Sequence, residues 1–282
     1  MPLTYSVIVC AYNEEAYLGG CLHSLRAQTR QPDEILVINN ASSDATRAVA
    51  AGIPGVRVVD EPIRGLVVAR ERGHRESTGD VLVYLDADCR APLEWLARLS
   101  AAFDRGHTVA VSGCYRFYDW DRVGRMLIRL YDYTLAPATH LLVQELLGIG
   151  AVLYGGNFAV RRDALERIGG FDTSIEFHGE DTNLGRRLSA VGRVRLSRSC
   201  WVHTSARRYK VMGRGAVFGL YVRNFWSELL RHRPSDTSHE DVRDVVAAAA
   251  TSGAEARGPR GSGAPRHLSE EQAGAGMRPR DG

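Results

Sequence analysis

Residues 81–89 read Val81-Leu82-Val83-Tyr84-Leu85-Asp86-Ala87-Asp88-Cys89, five apolar residues followed by two carboxylates one residue apart. An apolar run without alternation is the pattern of a strand covered on both faces. Similar runs precede it at Ser6–Cys10, Glu34–Ile38 and Val56–Val59. Between them lie helical signals. Leu18, Leu22 and Leu25 recur at helical spacing behind Glu14 and Glu15. Ser42-Ser43-Asp44 supplies cap chemistry for a short helix through Ala51. Residues 65–76 are helical by composition, and Pro92 opens a helix carrying Leu96, Leu99 and Phe103 on one face. Strand and helix in alternation imply an α/β fold, a mostly parallel sheet with helices on both faces. In such sheets ligands bind beyond the carboxyl ends of the strands, where Asp86 and Asp88 fall.

Past Thr108 the rhythm changes. Val109–Tyr115 reads as a strand, and the apolar stretch 126–153 is interrupted by Pro137, which predicts two helices or a broken one. Short elements return over 154–205, and a helix is expected over 211–232. Three parts follow: a domain over 1–210, an amphipathic helix over 211–233, and a Gly-, Ala-, Pro- and Arg-rich tail over 234–282, expected to be disordered.

Composition excludes several classes. The net charge of +3 gives no argument for a nucleic-acid partner and no obstacle to an anionic small molecule. Lys210 is the only lysine, so a phosphate-binding P-loop is absent. The five cysteines lack metal-ligand spacing and read as reduced thiols of a cytoplasmic protein. No signal peptide and no apolar run long enough to span a bilayer are read.

Asp86 and Asp88 offer oxygen ligands for Mn2+ or Mg2+, the partners of a diphosphate; an acidic turn helping to cap the next helix would look the same. Further segments weigh on the choice. Ala11-Tyr12-Asn13-Glu14 ends the first strand, and Asn39-Asn40-Ala41-Ser42-Ser43-Asp44 ends the second. Gly65 and Arg70 precede the Asp86 strand. Gly155-Gly156-Asn157 through Asp163, Gly169-Gly170-Phe171-Asp172 and Gly179-Glu180-Asp181-Thr182 follow in order. Over residues 4–210 this set resembles the family 2 glycosyltransferases, which have the GT-A fold.

The resemblance implies a nucleotide-diphospho-sugar donor, with a UDP-sugar favoured, and a hydroxyl acceptor of a polysaccharide, glycolipid or other envelope glycan. Ala11, Tyr12, Asn13, Glu14, Asn39, Asp44, Arg70 and Asp86 would bind the donor. Many relatives have Asp at position 39; Asn39 can donate or accept, which leaves the base open. Asp88 would ligate the metal, with Asp86 beside it and His203 as a third ligand. Gly155, Gly156, Asn157 and Glu180 would form the sugar and acceptor site. Asp181 would be the general base of an inverting transfer. Its place at a helix N-terminus would keep it ionised near neutral pH. A non-catalytic nucleotide-sugar-binding module is the alternative, and a D-x-D phosphohydrolase a remote one. Two roles stay open for the basic, aromatic helix at 211–233: packing on the domain, or peripheral contact with the inner face of the membrane, near a lipid-linked acceptor.

Overall fold

The computed structural model describes residues 2–103 and 107–237. Its strands are β1 Tyr5–Ala11, β2 Glu34–Asn40, β3 Val56–Glu61, β4 Val81–Leu85, β5 Thr108–Phe117, β6 Asn157–Arg161 and β7 Arg193–Thr204. They form one sheet in the order β3-β2-β1-β4-β6-β5-β7. The first four strands are parallel, as the apolar runs predict, and β5 is parallel to β7. β6 runs antiparallel to both of its neighbours, β4 and β5. Asn157, which begins β6, is therefore opposite Leu85, which ends β4. The two glycines before β6 then sit beside the aspartates after β4.

The helices are α1 Glu15–Arg26, α2 Thr46–Ala51, α3 Leu66–Glu76, α4 Trp95–Phe103, α5 Arg122–Tyr133, α6 Leu135–His140, α7 Arg162–Arg167, α8 Glu180–Ser189, α9 Arg207–Met212 and α10 Arg214–Arg231, with a π-helical segment at Leu141–Leu146. Side-chain alternation along the strands feeds two cores. Val7 and Val9 of β1 join Leu22 and Trp95 on one face of the sheet. Ile8, between them, joins Leu36, Leu82, Phe158 and Leu184 on the other.

The structure corrects three boundaries. The break expected at Pro137 comes at Thr134, and Pro137 lies in the first turn of α6, where no intrahelical N–H is needed. The helix expected over 211–232 is two helices, parted at Gly213, whose φ of 83° ends α9. Residues 234–237, assigned to the tail, are held: Asn224 Oδ1 accepts from the Ser235 and Asp236 amides, and Thr237 O accepts from the His178 amide. From residue 238 onward the expected tail lies outside the described residues. α10 is fastened to α8 by buried Glu228, which accepts from Asn183 at 3.0 Å and Arg186 at 2.9 Å. Among the described residues no helix is long and apolar enough to cross a membrane.

One side chain pins the sheet beneath the aspartates. Asn157 is fully buried; its Nδ2 donates to Cys200 O at 2.9 Å and Cys114 O at 3.3 Å, and its Oδ1 accepts from Trp95 Nε1 at 3.1 Å. It therefore ties β6 to β5, β7 and α4. This corrects the expectation that its amide lines the sugar site, because every polar atom of the side chain is already used. Asn157→Leu strands these buried groups, each worth about 1–3 kcal/mol when unsatisfied. The expected result is a loss of roughly 3 kcal/mol or more, seen as a lower urea midpoint at unchanged slope.

Candidate active site

The centre of the site is built on Gly155 and Gly156. A Cβ on Gly156 would overlap Asp86 Oδ2 and lie 2.7 Å from the Tyr115 hydroxyl. A Cβ on Gly155 would meet Glu180 Oε1 at 2.8 Å and the Cβ of Asp181 at 3.4 Å. Two adjacent positions without side chains thus separate the aspartate after β4 from the acidic pair opening α8. Backbone bonds set the spacing: the Asp86 amide donates to Gly156 O at 3.1 Å, and the Gly156 amide to Tyr115 Oη at 2.6 Å. Buried Arg70 spans the gap. Its Nη1 donates to Glu180 Oε1 at 2.5 Å, and its Nη2 to Gly155 O at 2.6 Å, with Asp86 Oδ1 at 3.9 Å. The sequence placed Arg70 on the donor. The structure makes it an internal strut joining two acidic groups.

Asp88 lies deeper. Its Oδ1 accepts from the Thr204 hydroxyl at 3.2 Å, and its Oδ2 is 3.2 Å from Arg207. Arg207 also makes a two-pronged bond to buried Glu14, at 2.5 and 2.9 Å. Glu14 is therefore turned toward Arg207, and the carboxylate expected to bind the donor is engaged in this ion pair. Burial pushes the Asp88 carboxyl up to about 6; Arg207 pulls it down, while Asp86 and Glu14 push it further up. The raised value reflects burial first and the nearby acids second, and Arg207 offsets only part of it. A donor set of carboxylate oxygens in such surroundings fits a hard divalent cation, with Asp86 and Asp88 as the residues to hold it. Among the described residues no three His, Cys, Asp or Glu side chains converge as a metal cage would require. The phosphates of a ligand and water would have to supply the other positions.

His203 does not join the pair. In β7 Thr204 faces Asp88, so by strand alternation its neighbour His203 points away. The His203 ring is exposed and edge-on to Trp201 at 4.9 Å.

On the base side, Tyr12 has the Arg64 guanidinium over its ring at 4.2 Å. Asn39 is buried at the end of β2, and its Nδ2 donates to Asp60 Oδ1 at 2.8 Å. Its Oδ1 is buried without a hydrogen-bond partner. Asn13, at φ 50°, and Asp44 are consumed in the loops. Asn13 Oδ1 accepts from the Ser43 amide, and the Asp44 oxygens accept from the amides of Glu15 and Thr46. Ala11 is buried, and its carbonyl accepts from the Ser42 hydroxyl at 3.5 Å. Of these, Asn39 keeps an acceptor, its Oδ1, without a hydrogen-bond partner.

Asp181 departs from the sequence-based expectation in its ionisation. Burial raises its carboxyl to about 7, and neighbouring Glu180 adds to the rise; bonds from Thr182 and the charge of Arg70 oppose it. Desolvation outweighs the helix N-terminus. A second acid stands nearby. Asp132 of α5 is buried, accepts from the Tyr154 hydroxyl, and is raised to about 6 by burial.

Comparison with known proteins agrees with this geometry. The family model described as glycosyl transferase family 2 matches residues 6–169. The chain belongs to that family. The glycosyltransferase AglE of Haloferax volcanii is 27% identical over 66% of this chain and 62% of its own length. A glucosyl-dolichyl phosphate glucuronosyltransferase of the same organism is 24% identical over 62% of this chain and 58% of its own. The chain thus spans about three fifths of the length of these curated relatives. Among solved structures, a mannosyltransferase of Pyrobaculum calidifontis, in complex with GDP-Man and Mn2+, has a TM-score of 0.64 at 21% identity, covering 92% of this chain and 77% of that one. The glucosyl-3-phosphoglycerate synthase of Mycobacterium tuberculosis, in complex with Mn2+ and UDP-glucose, has a TM-score of 0.55 at 23% identity, covering 81% and 79%. The fold is GT-A, as the sequence pattern predicts.

Asp60, Tyr115 and Asp132, within the matched residues, and Thr204 and Arg207, beyond them, escaped the sequence reading as candidate site residues. None has a local signal: each is defined by a partner far away in the chain. Gly156→Ala should push Asp86 aside. A misplacement of about 1 Å in such a site costs on the order of 100-fold in rate. Steady-state transfer or donor hydrolysis checks this, with the melting temperature as the control for folding.

Proposed function

We propose that the chain transfers a sugar from a nucleotide-diphosphate donor, a UDP-sugar in first place, to a hydroxyl acceptor, with Mn2+ or Mg2+ and with inversion. The carrying observation is the gap at Gly155–Gly156, with Asp86 on one side and Asp181 on the other. A divalent cation held by Asp86 and Asp88 would stabilise the charge gained by the departing diphosphate. Asp181 takes the proton of the attacking hydroxyl from the side opposite the leaving group. Arg70 fixes Glu180, and burial, with the charge of Glu180 adding to it, keeps the basicity of Asp181 high enough to accept that proton at neutral pH. Retention of a base beside the donor pocket favours an enzyme over a binding module.

The orientation of Asn39 supports the base assignment. Asp60 can only accept, so it fixes the amide with Nδ2 as donor and leaves Oδ1 as an acceptor. That suits the ring N–H of uracil, and of guanine, and opposes cytosine and adenine, whose corresponding ring nitrogen has no hydrogen. The relative named for glucosyl-dolichyl phosphate supports a lipid-linked acceptor.

A thermal-shift panel of UDP, GDP, ADP and CDP with and without Mn2+ tests the donor: UDP with Mn2+ should raise the midpoint most, in proportion to the logarithm of its concentration. The base is competent only when ionised. With its carboxyl raised to about 7, kcat/KM should therefore climb as pH rises through that value and level off above it. Asp181→Asn should lower turnover by about 10²–10⁴-fold and abolish this limb while donor binding survives. Donor binding without turnover of any acceptor or of the donor itself would instead make the chain a binding module.

A further inference from the structure

Helix α5 is built inside out. Val123, Met126, Leu127, Leu130 and Tyr133 recur at spacings of three and four residues, yet all five are exposed, with Met126 at 62% and Leu130 at 58%. At about 100° per residue they share an arc of roughly 120°. The face turned inward carries Gly124 and the carboxyl of Asp132. Arg122, Arg125 and Arg129 form a parallel row along one flank of the apolar stripe. Asp121 caps the helix and Asp132 is buried, so no acid interrupts the outer face. The chain then continues the surface with Leu135, Leu141, Leu142, Leu146 and Leu147, again exposed. Glu145 of the π-helical segment is paired with Arg193 at 2.8 Å, and an exposed apolar stripe with a basic edge marks a contact site.

We propose that the outer face of α5, with the π-helical segment that follows, lies on an anionic lipid bilayer, the apolar stripe among the acyl chains and the arginine row at the headgroups. Charge selects this occupant. A second copy meeting the same face would either bring two arginine rows together, in the antiparallel pairing, or set each row beside an apolar stripe with no counter-charge, in the parallel one, whereas phosphate headgroups neutralise the row. α10, considered for the same role, is tied to α8 through Glu228 and also leaves Phe218 and Leu230 exposed, while on α5 Tyr133 has the Arg198 guanidinium over its ring at 4.9 Å and the other stripe residues stand exposed. The surface is independent of whether the site turns over. If the proposed transfer is correct, it sets the acceptor pocket beside lipid, because Asp132 on the inner side of α5 bonds Tyr154, whose ring is edge-on at 5.3 Å to the Tyr115 that holds Gly156.

The test is co-sedimentation of the full chain with phosphatidylglycerol–phosphatidylcholine vesicles and with phosphatidylcholine alone. Binding should require the anionic lipid and weaken with salt. Met126→Asp with Leu130→Asp should abolish it. Arg122→Gln, Arg125→Gln and Arg129→Gln together should weaken it on the order of 100-fold. The changed side chains are exposed, apart from half-buried Arg125, and the melting temperature and the UDP-dependent thermal shift should match the unaltered protein, which separates loss of docking from loss of the site. Absence of vesicle binding would overturn the proposal. So would binding indifferent to these substitutions, or a dimer by light scattering that the Asp variants dissolve without any lipid binding.

Discussion

Crowded negative charge governs this structure. Glu14, Asp86, Asp88, Glu180 and Asp181 gather around one edge of the sheet, and buried Arg70 and half-buried Arg207 are the cations set among them. Two like charges about 4 Å apart repel by roughly 4 kcal/mol at the effective dielectric of a protein near its surface. The arginines each touch two acids, and burial together with the remaining repulsion still leaves Asp88 and Asp181 with carboxyls raised far above their usual range. Such a pocket favours an added cation at one end and a proton at the other. Those are the two charges that transfer of a glycosyl group has to manage.

The two arginines divide that work. Arg70 is nearly sealed from water and fixes the distance between Asp86 and Glu180 across a backbone carbonyl. Arg207 sits in α9 and reaches back to the loop after β1 and to Asp88. Breaking a buried pair of this kind leaves an unbalanced charge, typically at a cost of about 3–5 kcal/mol. The charges that equip the site for a ligand are therefore also supports of the fold around it.

Much of this was legible in the sequence, for identifiable reasons. The runs at 6–10, 34–38, 56–59 and 81–85 are legible as strands because they are dominated by apolar, largely β-branched residues, with Arg57 the one polar residue inside a run, and Asp86 and Asp88 follow the last directly. The direction of β6 was not legible, since a five-residue strand reads the same either way, yet that direction sets Gly156 against Asp86. Which of His203 and Thr204 faces the acids depends on the parity of β7, and one residue decides it. Asn157 looks like a site amide in its motif and is a sheet pin in space. For α5 the spacing reveals the stripe, but only packing tells that it faces out. Ionisation was the least accessible: the helix N-terminus of Asp181 is visible in Gly179-Glu180-Asp181, and the burial that overrides it is not.

The bond between Glu14 and Arg207 joins residues 193 positions apart in the chain. At about 5–20 residues per second on the ribosome, the first strand and its acidic loop would wait on the order of 10–40 s for their counter-charge to be made. During that interval a nascent chain can lay down β1 to β4 and their helices, but its acidic edge stays poorly neutralised. Completion of the pocket is thus timed to late synthesis, and a product cut short before α9 would be left with a sheet that repels itself at the place where a ligand should bind.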